Sequence, residues 1–258
     1  MDLGIAGRKA IVCASSRGLG FACAKALAEA GCEVVINGRN QDQLAAAAAE
    51  LKKRGAKVTS VVADLASPEG QKTLLAACPE PDILVNNNGG PPPRDFRELD
   101  RQKLLDGVTA NMVVAVELVQ KVIDPMIAKK FGRIVNITSG SVRMPLVGLD
   151  LSSGARAGLT AFLAGVARSV AASNVTINFM LPGVFATDRL RTCIDTMAKK
   201  KGLSAEAALA ERVATVPAKR VGRPDEFGAM CAFLCSAHAG YITGQNILID
   251  GGTFPGAF

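Results

Sequence analysis

Two glycines near the N-terminus lie where a chain can bind a phosphate. Gly18 and Gly20 follow a short apolar run, residues 9–14, and precede a helical stretch that begins at Phe21. At such a strand-to-helix turn, glycine lets the backbone approach a ligand, and the N-terminal N–H groups and dipole of the helix attract an anion. Glycine pairs in turns are common. This pair, however, follows the first strand of the chain and therefore predicts a binding loop for the pyrophosphate of a dinucleotide.

Two arginines flank the pocket where that dinucleotide would place its adenosine ribose. An acidic residue at the end of the second strand commonly holds the ribose 2′-hydroxyl of NAD. Residues 35–40 contain no acid and include Arg39, while Arg17 lies in the glycine loop itself. Since a guanidinium suits a phosphate in geometry and charge, the pair predicts NADP(H) as the cofactor. The alternative is that each arginine is merely solvated on a turn.

Apolar strands alternate with amphipathic helices along the chain and would position these residues. Strands are predicted at residues 9–14, 33–37, 57–62, 82–86, 133–138, 175–180 and 246–249. Parallel strands need long crossovers, so this rhythm predicts a single α/β domain over residues 1–258 with a Rossmann-type, doubly wound parallel sheet flanked by helices. Ligands bind such sheets at the carboxyl ends of the strands. Residues 187–216 contain no strand pattern, which predicts a lid over the substrate.

The composition limits the classes of partner. The 258 residues are 49% hydrophobic, enough for one large core, and no apolar run reaches the roughly 20 residues that span a bilayer. The N-terminus lacks the pattern of a signal peptide, and seven cysteines without metal-site spacing are expected to be buried free thiols, which favours the cytoplasm. The net charge of +7 comes from scattered basic residues, and only one tyrosine and no tryptophan are present. We therefore expect a small molecule or an acidic carrier as partner, with no nucleic acid, membrane or metal.

Further patterns follow the glycine loop in a characteristic order. The loop reads Cys13-Ala14-Ser15-Ser16-Arg17-Gly18-Leu19-Gly20. After it come Asp64-Leu65 behind the third strand, Asn86-Asn87-Asn88-Gly89 behind the fourth, Pro182-Gly183 with Thr187, and Tyr241-Ile242-Thr243-Gly244-Gln245 before Asp250-Gly251-Gly252. In this order they resemble the signatures of the short-chain dehydrogenase/reductase family, in a divergent branch similar to 3-oxoacyl-[acyl-carrier-protein] reductases. The resemblance covers nearly the whole chain.

The resemblance implies which residues hold the cofactor. They are Ser15, Ser16, Arg17, Gly18, Leu19, Gly20, Arg39, Asp64, Leu65, Asn86, Asn88, Gly89, Arg156, Pro182, Gly183 and Thr187. Two positions depart from the family pattern, since Ala14 replaces its first glycine and Asn88 an alanine. We expect the loop to work with Ala14 if the φ angle of that residue stays negative.

Two of the four catalytic positions implied by the resemblance carry other residues. In the family an Asn, a Ser, a Tyr and a Lys cooperate in hydride transfer, with Tyr as the proton donor and Lys lowering its pKa. Asn111 and Ser139 match the first two, whereas Ser152 stands at the Tyr position and Arg156 at the Lys position. A serine hydroxyl is a far weaker acid than a phenol, and Arg stays charged at any working pH. Arg156 can still bind the nicotinamide ribose and place positive charge near an oxyanion.

Three other residues are candidates for the missing proton donor. Asp150 lies two residues before Ser152, although a carboxylate at a helix N-terminus is the more ordinary interpretation. The only tyrosine, Tyr241, and the only histidine, His238, lie in the C-terminal segment, where packing or a surface position is expected. A water held by Asn111 or Ser152 is a further candidate.

Three functions follow from this site. The leading hypothesis is an NADP(H)-dependent oxidoreductase that interconverts a ketone, such as a 3-oxoacyl thioester, and a secondary alcohol. The second is a catalytically impaired dinucleotide-binding protein with a sensing or structural role, and the third is reduction of an imine or an activated alkene. The resemblance also implies a homotetramer built on residues 103–130 and 154–172. Apolar side chains of the lid suit an apolar or acyl substrate or pack on the sheet: Leu190, Ile194, Met197, Leu203 and Leu209.

Overall fold

Seven parallel strands form one sheet in the computed structural model, which describes residues 1–256. They are β1 Lys9–Val12, β2 Glu33–Gly38, β3 Val58–Val62, β4 Ile83–Asn86, β5 Gly132–Ile137, β6 Val175–Pro182 and β7 Asn246–Ile249. Their order in the sheet is β3-β2-β1-β4-β5-β6-β7. The order reverses between β1 and β4, so the loops after these two strands diverge and leave a crevice at the carboxyl edge.

Nine α-helices in residues 1–256 cover both faces of the sheet. They are α1 Gly18–Glu29, α2 Gln41–Lys53, α3 Pro68–Ala77, α4 Arg101–Val108, α5 Val114–Ala128, α6 Asp150–Val170, α7 Asp188–Lys201, α8 Ala205–Ala214 and α9 Pro224–Leu234. A π-helical turn, Thr109–Val113, joins α4 to α5 without a break. None of the described helices combines the length and the apolar character needed to cross a bilayer.

The core consists of two layers, one on each face of the sheet. Successive residues of a strand point to opposite faces. Ala10 and Val12 of β1 accordingly pack in one cluster with residues of α1, α2 and α9, whereas Ile11 packs in the other with residues of α3, α5 and α6. This arrangement confirms the predicted doubly wound parallel sheet.

The predicted elements differ from the observed ones mainly at their ends. The first strand stops at Val12 because residues 13–17 already form the turn into α1, and β6 continues to Pro182. Residues 187–216 contain α7 and α8 and no strand. All seven cysteines are free, and six of them are buried, while Cys193 on α7 is exposed.

Candidate active site

The turn between β1 and α1 is shaped by its glycines and held by two asparagines. Gly18 has a φ of +62°, a conformation that favours glycine. A Cβ at Gly20 would lie 2.5 Å from the Ala14 carbonyl oxygen and 2.6 Å from Asn87 Nδ2. Asn87 Nδ2 donates to that carbonyl at 3.0 Å, and the Ala14 N–H donates to Asn37 Oδ1 at 3.3 Å. The ends of β2 and β4 therefore fix the shape of the loop.

Ala14 adopts the left-handed conformation, with a φ of +44°. The negative φ on which we based the expectation of a working loop is therefore not observed. This region costs an L-residue with a Cβ roughly 1–2 kcal/mol. The bonds from Asn37 and Asn87 hold Ala14 in place despite that cost. The position thus still has the backbone geometry that a glycine would adopt without strain.

Replacing Ala14 by glycine should stabilise the protein by about 0.5–1 kcal/mol, because the relief of strain exceeds the added flexibility of the unfolded chain. Denaturant unfolding of the two proteins measures the difference. Ala45→Gly is the control, since Ala45 is exposed on α2 and should lose about 0.5–1 kcal/mol of helix stability. An equal loss in both variants would show that Ala14 is not strained.

The N-terminus of α1 has the features of an anion site. Arg17 occupies its N-cap position without a side-chain bond to the helix, so no described side chain caps the first N–H groups. The positive end of the helix dipole and these N–H groups suit a pyrophosphate. Ser15 is fully buried, donates from Oγ to the Val12 carbonyl at 2.6 Å and accepts from the Asn37 N–H at 3.1 Å. The structure thus gives Ser15 a role in shaping the turn, and its contact with the cofactor stays a prediction.

Arg17 and Arg39 lie on adjacent loops, after β1 and β2 respectively. A Cβ at Gly38 would lie 3.2 Å from Ser16 Cβ, so the glycine loop abuts the end of β2, directly before Arg39. Arg39 is 3.8 Å from Asp64 and Arg17 is 3.8 Å from Asp188, with the arginine side chains 78% and 63% exposed. Exposed pairs at such distances contribute little stability, so both guanidinium groups are available to a ligand.

The loop after β4 connects three parts of the site. Asn88 Nδ2 donates to the Ala110 carbonyl in the π-helical turn at 2.8 Å, and the Asn88 carbonyl accepts from Arg156 Nη2 at 3.2 Å. Gly89 is exposed, with open space on the side where a Cβ would point. The Asn88 side chain, which stands where the family pattern has an alanine, therefore stabilises the loop.

Two buried amide oxygens line a small cavity behind this loop. Asn86 Nδ2 donates to Asn136 Oδ1 at 2.9 Å, and Asn111 Nδ2 donates to the Gly107 carbonyl at 3.1 Å. The Oδ1 atoms of Asn86 and Asn111 have no hydrogen-bond donor among the described residues. Both residues, together with Arg156, line a cavity of about 20 Å³, which has room for one water molecule. Asn111, within the π-helical turn, thus lines the same cavity as Arg156.

Ser139 lies two residues after the end of β5 with its hydroxyl hydrogen available. Its Oγ accepts from the Ser141 N–H at 3.1 Å and from Ser141 Oγ at 2.9 Å. With both of these bonds accepted, the O–H of Ser139 remains free to donate to a substrate. The short helical turn at residues 140–142 fixes this orientation, because it presents the Ser141 groups to the serine.

Arg156 is a buried cation held by neutral groups. It is 6% exposed and donates from Nη1 to the Ile137 carbonyl at 2.8 Å, and from Nε to Ser152 Oγ at 3.3 Å. Burial, with a smaller effect from the positive charge of Arg189, lowers the pKa of Arg156 to about 10. Arg156 is therefore charged at neutral pH, and Ser152 directs its oxygen toward that charge.

The loop after β6 meets the glycine loop across the crevice. The Gly183 N–H donates to the Ile249 carbonyl at 2.9 Å, and a Cβ at Gly183 would lie 2.6 Å from the Asp250 Cα. Thr187 caps α7, since its Oγ1 accepts from the Leu190 N–H at 3.4 Å. A Cβ at Gly18 would lie 3.9 Å from Thr187 Cγ2. Pro182 therefore ends β6, and Gly183 and Thr187 lead the chain from there toward the start of α1.

Several apolar residues of the predicted lid pack on one another. Leu190, Ile194 and Met197 of α7 form a small cluster with Ala198 and with Ala208 of α8. These three side chains therefore serve packing, but between α7 and α8 and not on the sheet as the alternative supposed, whereas Leu209 is 37% exposed.

The other sequence candidates lie apart from the reacting groups or on the surface. Asp150 is exposed in the first turn of α6, which confirms its interpretation as a helix N-terminal carboxylate. Tyr241 is fully exposed, and His238 Nε2 lies 2.8 Å from the Asp2 carbonyl. Leu65 packs in the core, and Asp64 is exposed, with Oδ1 accepting from the Ala66 N–H at 3.1 Å.

Four residues of the site were missed by the sequence analysis. Asn37 and Asn87 fix the glycine loop, Ser141 orients Ser139, and Arg189 approaches the loop after β4. Asn87 lies within the quoted Asn-Asn-Asn-Gly segment and could have been found there. No pattern in the sequence distinguishes Arg189 from the other basic residues of the lid.

Comparisons with known proteins agree with this geometry. The family model described as enoyl-(acyl carrier protein) reductase matches residues 13–253. The chain is 30% identical to the NADPH-dependent reductase BacG of Bacillus subtilis (strain 168), over 95% of this chain and 97% of that protein. It is also 30% identical to the 3-oxoacyl-[acyl-carrier-protein] reductase FabG of Vibrio harveyi, over 98% and 99%. The crystal structure of L-sorbose reductase from Gluconobacter frateurii, complexed with NADPH and L-sorbose, has a TM-score of 0.93 at 30% identity and covers 98% of both chains.

Proposed function

Because this chain belongs to the short-chain dehydrogenase/reductase family, we propose that it is an NADP(H)-dependent oxidoreductase that interconverts a ketone and a secondary alcohol. One observation carries the proposal. The free hydroxyl hydrogen of Ser139 and the cation of Arg156 lie at the end of the same strand, β5, where Arg156 donates to the Ile137 carbonyl. Together they offer a hydrogen bond and a positive charge to a carbonyl oxygen that becomes negative during reduction.

The cofactor assignment rests on the glycine loop and its two arginines. The uncapped start of α1 suits the pyrophosphate, and the exposed guanidinium groups of Arg17 and Arg39, on the adjacent loops after β1 and β2, suit a ribose 2′-phosphate. The relatives named as NADPH-dependent reductase and as an NADPH complex support the same assignment. The proposed site is completed by Ser15, Ser16, Gly18, Leu19, Gly20, Asp64, Leu65, Asn86, Asn88, Gly89, Arg156, Pro182, Gly183 and Thr187.

Substituting Arg17 or Arg39 by alanine should raise the Kd for NADPH about tenfold or more, the scale of one charge-assisted hydrogen bond. The Kd for NADH should change little, because NADH lacks the 2′-phosphate. Calorimetric titration of each variant with both dinucleotides measures these values. Arg54→Ala removes another exposed guanidinium, which pairs with Glu29 far from the glycine loop, and should bind NADPH like the wild type. Parallel losses for NADPH and NADH would contradict the assignment of either arginine.

The reduction takes up one proton, and the described residues suggest how it proceeds without a phenol. When bound, NADPH supplies a hydride to the carbonyl carbon of the substrate. Ser139 donates its O–H to the carbonyl oxygen, and Arg156 stabilises the negative charge that develops there. Ser152 accepts from Arg156 and is positioned to bind water, through which solvent delivers the proton to the alkoxide. Asn111 contributes an amide oxygen to the adjoining cavity.

The pH dependence should reflect this arrangement. The charged form of Arg156 exists below its pKa of about 10 and is lost as the pH rises through that value. The kcat/KM for ketone reduction should therefore stay nearly constant from about pH 6 to 9 and fall above about pH 10. In Arg156→Lys the fall should begin at lower pH, because an amine loses its proton more readily than a guanidinium. A break near neutral pH in the wild type would indicate a different proton donor.

A second reaction, reduction of an alkene conjugated to a carbonyl, is favoured by the same replacement. Hydride addition to the β-carbon gives an enolate, whose oxygen needs a stabilising cation, while its carbon takes a proton from solvent. Arg156 offers the cation and Ser152 offers no strong acid. The description of the matching family model, an enoyl reductase, supports this candidate. The position of the transferred hydrogen in the product separates the two reactions.

We propose a homotetramer as the assembly, with residues 103–130 and 154–172 at its main interface. Apolar side chains on these helices are exposed in the single chain: Leu104, Leu105, Val113 and Phe162. Burying them against a second copy would remove apolar surface from water.

The six buried free cysteines support a reducing compartment such as the cytoplasm.

A further inference from the structure

Two guanidinium groups from different helices approach the loop that follows β4. Arg156 of α6 donates from Nη2 to the Asn88 carbonyl at 3.2 Å. Arg189 of α7 donates from Nη1 to the Gly90 carbonyl at 3.3 Å, and a Cβ at Gly90 would lie 3.1 Å from Arg189 Nη2. The two cations thus bond to carbonyls only two residues apart.

Neither of these arginines forms an ion pair with a carboxylate of residues 1–256. Two other arginines nearby do have a carboxylate partner, because Arg17 and Arg191 both pair with Asp188. A third arginine adds positive charge here. Arg94 lines a pocket together with Ser152 and also forms no ion pair among the described residues. Asp150 is exposed on the first turn of α6. The mouth of the site is therefore mostly cationic.

Two like charges without a counter-ion are unfavourable, above all when one is buried. Arg156 is 6% exposed and its described partners are a hydroxyl and two carbonyl groups, so none of them neutralises its charge. Arg189 adds to the cost by repulsion, which contributes to the lowered pKa of Arg156. A bound anion would remove both penalties, and a guanidinium pair suits a carboxylate in geometry.

We infer that Arg189, together with Arg156, binds a carboxylate of the substrate, so that the substrate class is an oxo acid whose carboxylate lies close to its carbonyl. The inference rests on the proposed function. Arg156 also bonds to the Ile137 carbonyl, two residues before Ser139, which places this anion site next to the reacting groups. Arg189 is then a specificity-determining residue. The pyrophosphate of the cofactor is another anion that Arg189 could bind, and the test distinguishes it from the substrate carboxylate.

The test compares two oxo acids, benzoylformate and acetoacetate, with their methyl esters, which are the same ketones without the charge. Kd values are measured by calorimetry on the NADP⁺-loaded protein, kcat/KM by NADPH oxidation, and the Kd for NADPH separately. The variants are Arg189→Gln and the matched control Arg191→Gln, which removes an exposed guanidinium from the same helix. Neither change affects a buried side chain.

The wild type should favour at least one acid over its ester by about tenfold or more, the scale of one charge-assisted hydrogen bond. Arg189→Gln should remove that preference, with the ester and the Kd for NADPH unchanged, and Arg191→Gln should behave like the wild type. Failure of both acids to bind, or equal binding of acid and ester, overturns the inference while normal NADPH binding leaves the proposed function intact. A loss of NADPH binding in Arg189→Gln as large as the loss for the acid also overturns it and assigns Arg189 to the pyrophosphate. A wild type that binds no NADPH overturns both.

Discussion

Gly20→Ala should abolish measurable NADPH binding and destabilise the protein by about 1–3 kcal/mol. The added Cβ would lie 2.5 Å from the Ala14 carbonyl oxygen, a backbone atom that β1 and the Asn37 and Asn87 side chains hold in place. Relief of the contact requires the glycine loop to move away from the end of β1. The N–H groups at the start of α1 would then no longer converge on the pyrophosphate. Calorimetry with NADPH and denaturant unfolding measure the two effects.

Gly154→Ala is the matched control for this substitution. Gly154 is exposed on α6, and no atom lies within 4 Å of the place where its Cβ would be. Alanine is the better helix former, so this variant should gain up to about 1 kcal/mol and bind NADPH normally. Normal binding by Gly20→Ala would show that the cofactor does not rely on the loop in this conformation.

Arg156→Ala should lower the kcat/KM for reduction by about 100- to 1000-fold, the usual effect of removing one donor to a developing oxyanion. Arg156→Lys keeps a cation and should recover part of this loss, although the shorter amine cannot reach the Ile137, Asn88 and Ser152 oxygens together. Steady-state kinetics with NADPH in excess measure the effect on the reaction.

Ser139→Ala should give a loss of similar size, because Ser139 offers the other donor to the same oxygen. Thermal unfolding of each variant separates this loss from a failure to fold, which matters most for the buried Arg156. If turnover survives both Ser139→Ala and Arg156→Ala, the proposed arrangement of the reacting carbonyl is wrong.

The fold was predictable from the sequence because its strands and helices have periodic patterns of apolar residues. Apolar strands and amphipathic helices alternate, and caps such as Ser67 before Pro68 mark where helices begin. The ends of strands were less certain, as the turn at residues 13–17 shows, because local patterns do not fix where pairing stops. The resemblance predicted that Asn111, Ser139, Ser152 and Arg156 lie together at one end of the sheet. In the structure Asn111 and Arg156 line one cavity, and Arg156 is hydrogen-bonded to Ser152.

Other features of the site depend on contacts between distant segments, which the sequence does not display. The left-handed φ of Ala14 results from bonds to Asn37 and Asn87, which lie 23 and 73 residues away. The bonds of Ser15 to Val12 and Asn37, which shape the same turn, likewise cannot be seen in the motif. Arg189 gains its importance only because α7 crosses to the loop after β4. Such effects require the packed chain.

The most direct test of the proposed function follows the hydride itself. The protein is incubated with NADPH that carries deuterium at C4 in either configuration and with oxo acids, ketones and conjugated enones, and the products are analysed by mass spectrometry and NMR. We predict a product with one added deuterium at the carbinol carbon, formed about 100- to 1000-fold more slowly by Arg156→Ala. Deuterium at a β-carbon would instead identify the conjugated alkene as substrate. A protein that binds NADPH with high affinity but transfers deuterium to none of these compounds would contradict the proposed reductase and support a dinucleotide-binding protein with a sensing or structural role.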